Sequence, residues 1–313
     1  MHRLLPLALA LVLALAACGP AKALLTDVFY DEAALDPSLV RADLAYIDDG
    51  DDKHRLDWFA PAPDSAGASG PTILFVHGGG WVEGDRAYTF GGEDLYGNVG
   101  RFFATQGVAT AVTSYRMMPG ATWREQVADV AAALAFVQRE TARLGGDPDA
   151  VVLMGHSAGA QLAAHVAYDT EAREQAGAAR VCGMVSVSGA GMDLTDAATW
   201  ETTGFDYYAE RFSPEREPID GPPAEPYPWQ VEASPASDID AGDPPTLLIY
   251  ADGEAELFKL QVDAMARALR AAGVRHRAAI MPAINHEAGV FNLSRDDRVV
   301  GPETLAFLRG LDC

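Results

Sequence analysis

The stretch Val151-Val152-Leu153-Met154-Gly155-His156-Ser157-Ala158-Gly159 decides the reading of this 313-residue chain. Four β-competent apolar residues run into a Gly-x-Ser-x-Gly pentapeptide, and Gln161-Leu162-Ala163-Ala164-His165 follow with helical composition. A strand that turns sharply into a helix holds its central residue in strained backbone geometry and leaves no room for side chains beside it. Ser157 Oγ is then thrust clear of the sheet as a nucleophile. The bland reading of the same residues is a tight glycine turn carrying an ordinary serine.

A second run, His77-Gly78-Gly79-Gly80-Trp81, follows another apolar strand, Thr72-Ile73-Leu74-Phe75-Val76. Attack on an ester carbonyl creates an oxyanion, and three consecutive residues without Cβ let the backbone wrap close and aim N–H donors at it. Gly79 and Gly80 are the expected donors from this loop, with the Ala158 N–H as the third. A phosphate cradle would need G-x-G-x-x-G spacing or a Gly-Lys-Ser/Thr ending, and the run has neither. His77 is expected to brace the loop.

With these motifs in place the chain resembles the α/β-hydrolase carboxylesterases, nearest to bacterial esterases related to hormone-sensitive lipase and to kynurenine formamidase. The resemblance is carried in order by His54-Arg55-Leu56-Asp57-Trp58-Phe59-Ala60-Pro61, His77 to Trp81 with Gly84-Asp85, Ser114-Tyr115-Arg116, Gly145-Gly146-Asp147-Pro148 and the Ser157 elbow. It implies a triad running Ser, Asp or Glu, then His along the chain. The base is expected after the last sheet strand, where Ala278-Ala279-Ile280-Met281-Pro282-Ala283-Ile284-Asn285-His286 names His286. An imidazole, with its ordinary pKa near ~6.5, suits a proton shuttle at neutral pH. His156 should point away from Ser157 Oγ, and His165 falls in the following helix. For the acid, Thr246 to Glu254 departs from the family pattern: Ala251 and Glu254 stand where Gly and Asp are usual. Glu254 aligns with the acid position, and Asp252 is the alternative.

The fold expected is α/β, an α/β-hydrolase with a mainly parallel central sheet, helices on both faces and a cap insertion. Strands are expected near 41–47, 53–59, 72–76, 108–114, 151–154, 183–187, 246–250 and 276–281. Trp123, Val127, Val130, Leu134 and Val137 recur at spacings of four and three, the buried face of a helix. Asp129 in that helix reads as a solvated or structural carboxylate, and Asp193 as structural. A final helix from Glu303 to Leu311 should pack beside the strand leading to His286. Between about 195 and 237 the periodicity breaks into a Pro-, acid- and aromatic-rich segment, a cap whose rings either line an acyl or aryl pocket or simply pack on the domain.

The N-terminus, with Arg3, a Leu/Ala run and Leu15-Ala16-Ala17-Cys18, looks like a lipoprotein signal peptide. Residues 1–17 would be removed, Cys18 lipidated, 18–40 left as a tether and 41–313 exported as the catalytic domain, lipid-anchored on the periplasmic or extracellular face of a bacterial envelope. A plain secretory signal and an uncleaved anchor are the competing readings. In an oxidising compartment Cys182 and Cys313 can form a disulfide, and two unpaired thiols fit the sequence equally. A net charge of −22 with only three lysines disfavours nucleic-acid binding and electrostatic docking on anionic lipid. No metal ligand pattern or cofactor motif is present, so none is expected. The composite expectation is a serine esterase acting on neutral, small or short-chain carboxylic esters through an acyl-enzyme. A formamidase, a carbohydrate deacetylase and a catalytically silent envelope-binding fold are the alternatives.

Overall fold

The computed structural model describes residues 32–61, 70–90, 93–202, 205–214, 224–282, 286–291, 293–294 and 299–313. The segment read as a signal peptide, Cys18 and most of the expected tether lie outside the described residues. Eight strands form one sheet: β1 (Val40–Ala45), β2 (Arg55–Phe59), β3 (Pro71–Val76), β4 (Thr110–Thr113), β5 (Asp147–His156), β6 (Gly183–Val187), β7 (Thr246–Ala251) and β8 (His276–Met281). They lie in the order β1-β2-β4-β3-β5-β6-β7-β8. β2 pairs antiparallel with both β1 and β4, and every other neighbouring pair is parallel. This is the α/β-hydrolase sheet, with the crossovers that parallel neighbours require.

Helices cover both faces because the central strands are apolar on both. Along β3, Leu74 and Val76 enter one core cluster while Ile73 and Phe75 enter the other, which is the period-two alternation of a strand buried on two sides. The first cluster is roofed by α2 (Trp123–Leu144) and α3 (Ala158–Tyr168), with α6 (Glu256–Ala272) beyond them. The second lies under α1 (Leu95–Thr105) and α7 (Val300–Arg309). The remaining labelled helices are α4 (Thr170–Ala176) and α5 (Phe205–Phe212). In α2 the expected stripe, Trp123, Val127, Val130, Leu134 and Val137, is buried throughout. The helix starts at a capping box between Thr122 and Glu125 and stops at Gly145, whose φ of 92° is left-handed.

Several expectations are corrected in detail. Of its two readings Asp129 takes the structural one: it is buried, bidentate to Arg116 and 3.2 Å from His54 Nε2. The last helix begins at Val300 and lies across β6 and β7, with Phe307 and Leu311 set against Gly183. Its tie to β8 is an Arg277–Glu303 ion pair, because the apolar surface it must cover belongs to the inner strands and not to the edge. Within the cap, Trp200, Tyr208, Phe212 and Trp229 are buried in the first core cluster. These rings pack on the domain; Tyr207, only partly buried, packs at the edge of the same cluster with its hydroxyl near Gly80 of the glycine loop. The structure also pairs Cys182, at the head of β6, with Cys313, their Cα atoms 5.7 Å apart.

Candidate active site

β5 and α3 meet at Ser157, whose φ of 55° and ψ of −122° belong to no regular element. A non-glycine residue is held there only when its surroundings over-determine it. Here they do: Ser157 N donates to Val187 O at 3.0 Å, and Ser157 O accepts from Ala160 and Ala190. The flanking glycines are required by close approach. A Cβ on Gly159 would lie 2.2 Å from His77 O and 2.3 Å from Val76 O, so α3 leaves the elbow in direct backbone contact with the glycine loop. Gly159→Ala is therefore expected to destabilise the fold by about 2–4 kcal/mol, read from chemical denaturation, because backbone on both sides cannot yield.

The loop itself is built by its sequence. Gly79 has a φ of 122°, and a Cβ there would fall 1.9 Å from Glu83 O. Gly79 O accepts from Val82 and Glu83, closing the turn. His77 is buried and stacks on Tyr115, its Nδ1 2.6 Å from Gly78 O, while Tyr115 Oη donates to His77 O. Burial holds the His77 pKa down at about 4, so it is a neutral brace, as expected. Among the described residues the N–H groups of Gly79, Gly80 and Ala158 donate no hydrogen bond. The Ala158 N–H also stands at the first turn of α3, where backbone donors are open to an anion.

His286 Nδ1 lies 3.0 Å from Glu254 Oε2. Glu254 follows β7 and is buried, whereas Asp252 is exposed, with its backbone N–H on Met281 O. The register at the end of β7 thus turns Glu254, and not Asp252, inward to the imidazole. Phe258 of α6 covers one face of the His286 ring with centroids 3.8 Å apart, and His156 lies tilted against it at 5.0 Å. His286 Nε2 is buried and has no hydrogen-bond partner among the described residues. Burial pulls the His286 pKa below the usual imidazole value and pushes the Glu254 carboxyl up. The imidazole is consequently neutral near pH 7, the state a general base requires.

Against this geometry, the BD-FAE family model matches residues 56–269. The chain belongs to the BD-FAE family. The match runs from β2 through α6 and includes the glycine loop, the elbow and Glu254, while His286 lies beyond its end. Among curated relatives, the chain is 29% identical over 231 residues to Esterase LipC of Mycobacterium tuberculosis, covering 71% of this chain and 54% of that one. It is 34% identical over 140 residues to a probable isoprenylcysteine alpha-carbonyl methylesterase, ICMEL2, of Arabidopsis thaliana, covering 45% and 31% respectively. The chain thus spans about a third or less of the plant relatives' length and about half of the mycobacterial one. Among solved structures it is similar in fold to esterase B of Lactobacillus rhamnosis, with a TM-score of 0.71, 23% identity and coverage of 96% and 95%. A truncated carbohydrate esterase from gut microbiota gives 0.70 at 20% identity, with 89% and 98% covered.

Some contacts of this BD-FAE site were not readable from the chain. His156 Nε2 lies 3.1 Å from the His286 carbonyl, so the residue before the nucleophile braces the loop that carries the imidazole. Burial keeps the His156 pKa at about 3, so its ring is neutral and Nε2–H is the donor. The sequence signal available was adjacency to Ser157 alone. Phe258 was unmarked among apolar helix residues. Tyr207 and Arg211 were visible only as members of an aromatic-rich insert, although their spacing of four places them on one helical face.

Proposed function

We propose that this chain is a serine carboxylesterase that hydrolyses neutral, small or short-chain esters through an acyl-enzyme. The observations that support the reading are the Glu254–His286 pair, the hydrogen bond from His156 to the His286 carbonyl, and Ser157 next to His156 in elbow geometry. Ser157 Oγ attacks the carbonyl carbon as His286 Nε2 takes its proton, and the amides of Gly79, Gly80 and Ala158 receive the oxyanion. The imidazolium returns the proton to the departing alkoxide. Water repeats the sequence on the acyl-enzyme, with Glu254 holding the Nδ1–H tautomer throughout. Relatives named as esterases support ester hydrolysis.

The test is turnover of p-nitrophenyl esters from acetate to long acyl chains by the protein lacking residues 1–18, beside labelling by a fluorophosphonate. Saturable hydrolysis that is fastest on short chains supports the proposal. No turnover and no labelling of Ser157 would instead favour a binding role.

The same proposal places the protein outside the plasma membrane, lipid-anchored through Cys18, and so in an oxidising compartment. The Cys182–Cys313 pair closes a segment of 131 residues around β6 to the C-terminus. Cys313→Ser is then expected to lower stability by about 2–5 kcal/mol, seen as a reduced unfolding midpoint under non-reducing conditions. An equal midpoint in wild type and variant would mean that the thiols stay reduced. Metabolic labelling with a palmitate analogue, lost in Cys18→Ser, tests the anchor.

A further inference from the structure

The cap helix α5 sets a phenol against the glycine loop. A Cβ built on Gly80 would meet Tyr207 Oη at 2.7 Å, nearer than any other atom outside the adjoining residues. Arg211 stacks on the Tyr207 ring, its guanidinium carbon 3.6 Å from the ring centroid. Arg211 is in turn fixed at both ends, with Nη1 donating to Tyr207 O at 2.8 Å and Nε to Gly80 O at 3.2 Å. One arginine therefore ties the phenol and the loop into one unit. The adjoining face of α5 is anchored by the buried Tyr208 and Phe212, which pack with Tyr207 around Trp81, and Tyr208 Oη accepts from Gly191 N at 3.1 Å, which limits rolling of the helix.

The chemistry of this arrangement is directional. A guanidinium only donates, so its approach to the phenol leaves the Tyr207 O–H proton still to be placed. Among the described residues nothing accepts that proton. Burial raises the Tyr207 pKa, with Arg211 opposing, so the hydroxyl stays protonated at neutral pH. A protonated donor with no acceptor among the described residues, set beside Gly80, is suited to a group that arrives with the substrate.

We propose that Tyr207 Oη–H is a further donor to the acyl oxygen of an ester bound against Gly79 and Gly80, with Arg211 as its positioning residue. The inference rests on the esterase reading of Ser157. No bond to the phenol breaks: the proton stays on Tyr207, and the hydrogen bond strengthens as negative charge gathers on the acyl oxygen during attack and fades as the carbonyl re-forms. Such a contact is stronger in the transition state than in the ground state and so acts on kcat.

Tyr207→Phe removes one oxygen and keeps the ring under Arg211. With p-nitrophenyl acetate its kcat is expected to fall ~10- to 100-fold with KM little changed, as for loss of one oxyanion donor among several. The Ki of a trifluoromethyl ketone, which forms a hemiketal oxyanion on Ser157, should rise by a similar factor. The thermal midpoint, measured alongside, should stay within a few degrees of wild type. A kcat and Ki within about twofold of wild type would overturn the inference while Ser157-dependent turnover of the wild type keeps the esterase reading. If the wild type itself hydrolyses no ester in a Ser157-dependent way, the esterase reading falls and this inference falls with it.

Discussion

Ser157→Ala is expected to abolish ester hydrolysis, lowering kcat by on the order of 10⁴- to 10⁶-fold while leaving the fold intact. The magnitude follows from what the side chain does: without Oγ there is no acyl-enzyme, and the imidazole has no proton to accept. What remains is the donor set of the glycine loop and Ala158, which can still polarise a carbonyl toward water. Alanine is tolerated structurally because the elbow is held by the backbone bonds from Ser157 N to Val187 O and from Ala160 N and Ala190 N to Ser157 O, none of which uses the hydroxyl. Steady-state hydrolysis of p-nitrophenyl acetate checks the rate, and an unchanged circular dichroism spectrum checks the fold. Turnover retained within tenfold of wild type would place the nucleophile elsewhere.

Glu254→Gln is expected to lower kcat by about 10²- to 10⁴-fold, whereas Asp252→Asn should be mild. The substituted amide keeps the shape of the side chain and loses the charge that holds the Nδ1–H tautomer and stabilises the imidazolium. The pH dependence gives an independent sign. His286 must be neutral to act, so activity falls as pH drops through the pKa of the Glu254–His286 pair. Removing the neighbouring negative charge makes the imidazolium less favourable, and the acid limb of kcat/KM should move to lower pH in the variant. Stability should move oppositely to activity. Burial raises the folded pKa of Glu254 to about 7 from an ordinary value of 4.5. Between those values the folded state binds more protons than the unfolded one, so this group's contribution to stability declines as pH rises through that window and stays lost above it. Glu254→Gln removes the penalty, and its thermal midpoint relative to wild type should be higher at pH 8 than at pH 4. Full activity in Glu254→Gln together with a large loss in Asp252→Asn would transfer the acid role to Asp252.

The sheet was legible in the chain because its strands are short apolar runs bounded by turn residues. Each of the eight expected segments coincides with a strand, although β5 begins at Asp147, four residues earlier than its apolar stretch. Pairing with β3 carries it there, through Pro71 opposite Asp147, across a register shift. The stripe from Trp123 to Val137 was legible for the same kind of reason, since a 3.6-residue period survives in one dimension. The terminal helix was misplaced beside β8 because periodicity marks which side of a helix is buried and says nothing about which strands receive it. The fate of the cap aromatics was equally hidden. Trp200 and Trp229 pack on each other at 5.9 Å in the core, while Tyr207 reaches the glycine loop, and both outcomes share the same local composition. Which of Asp252 and Glu254 meets His286 turned on a two-residue difference in the turn after β7, which composition cannot fix.

The contact that excludes any side chain from Gly159 has a consequence for how this protein can change over generations. Because α3 rests directly on the carbonyls of Val76 and His77, the serine and the amides that would face its oxyanion form one casting, and a substitution in either half strains both. Novelty must therefore enter from the insert above, where Tyr207 and Arg211 meet the casting at a phenol and a carbonyl. Libraries confined to α5 and its flanks should yield altered ester preference in folded proteins, while libraries drawn across residues 76–80 and 155–159 should yield mostly insoluble ones.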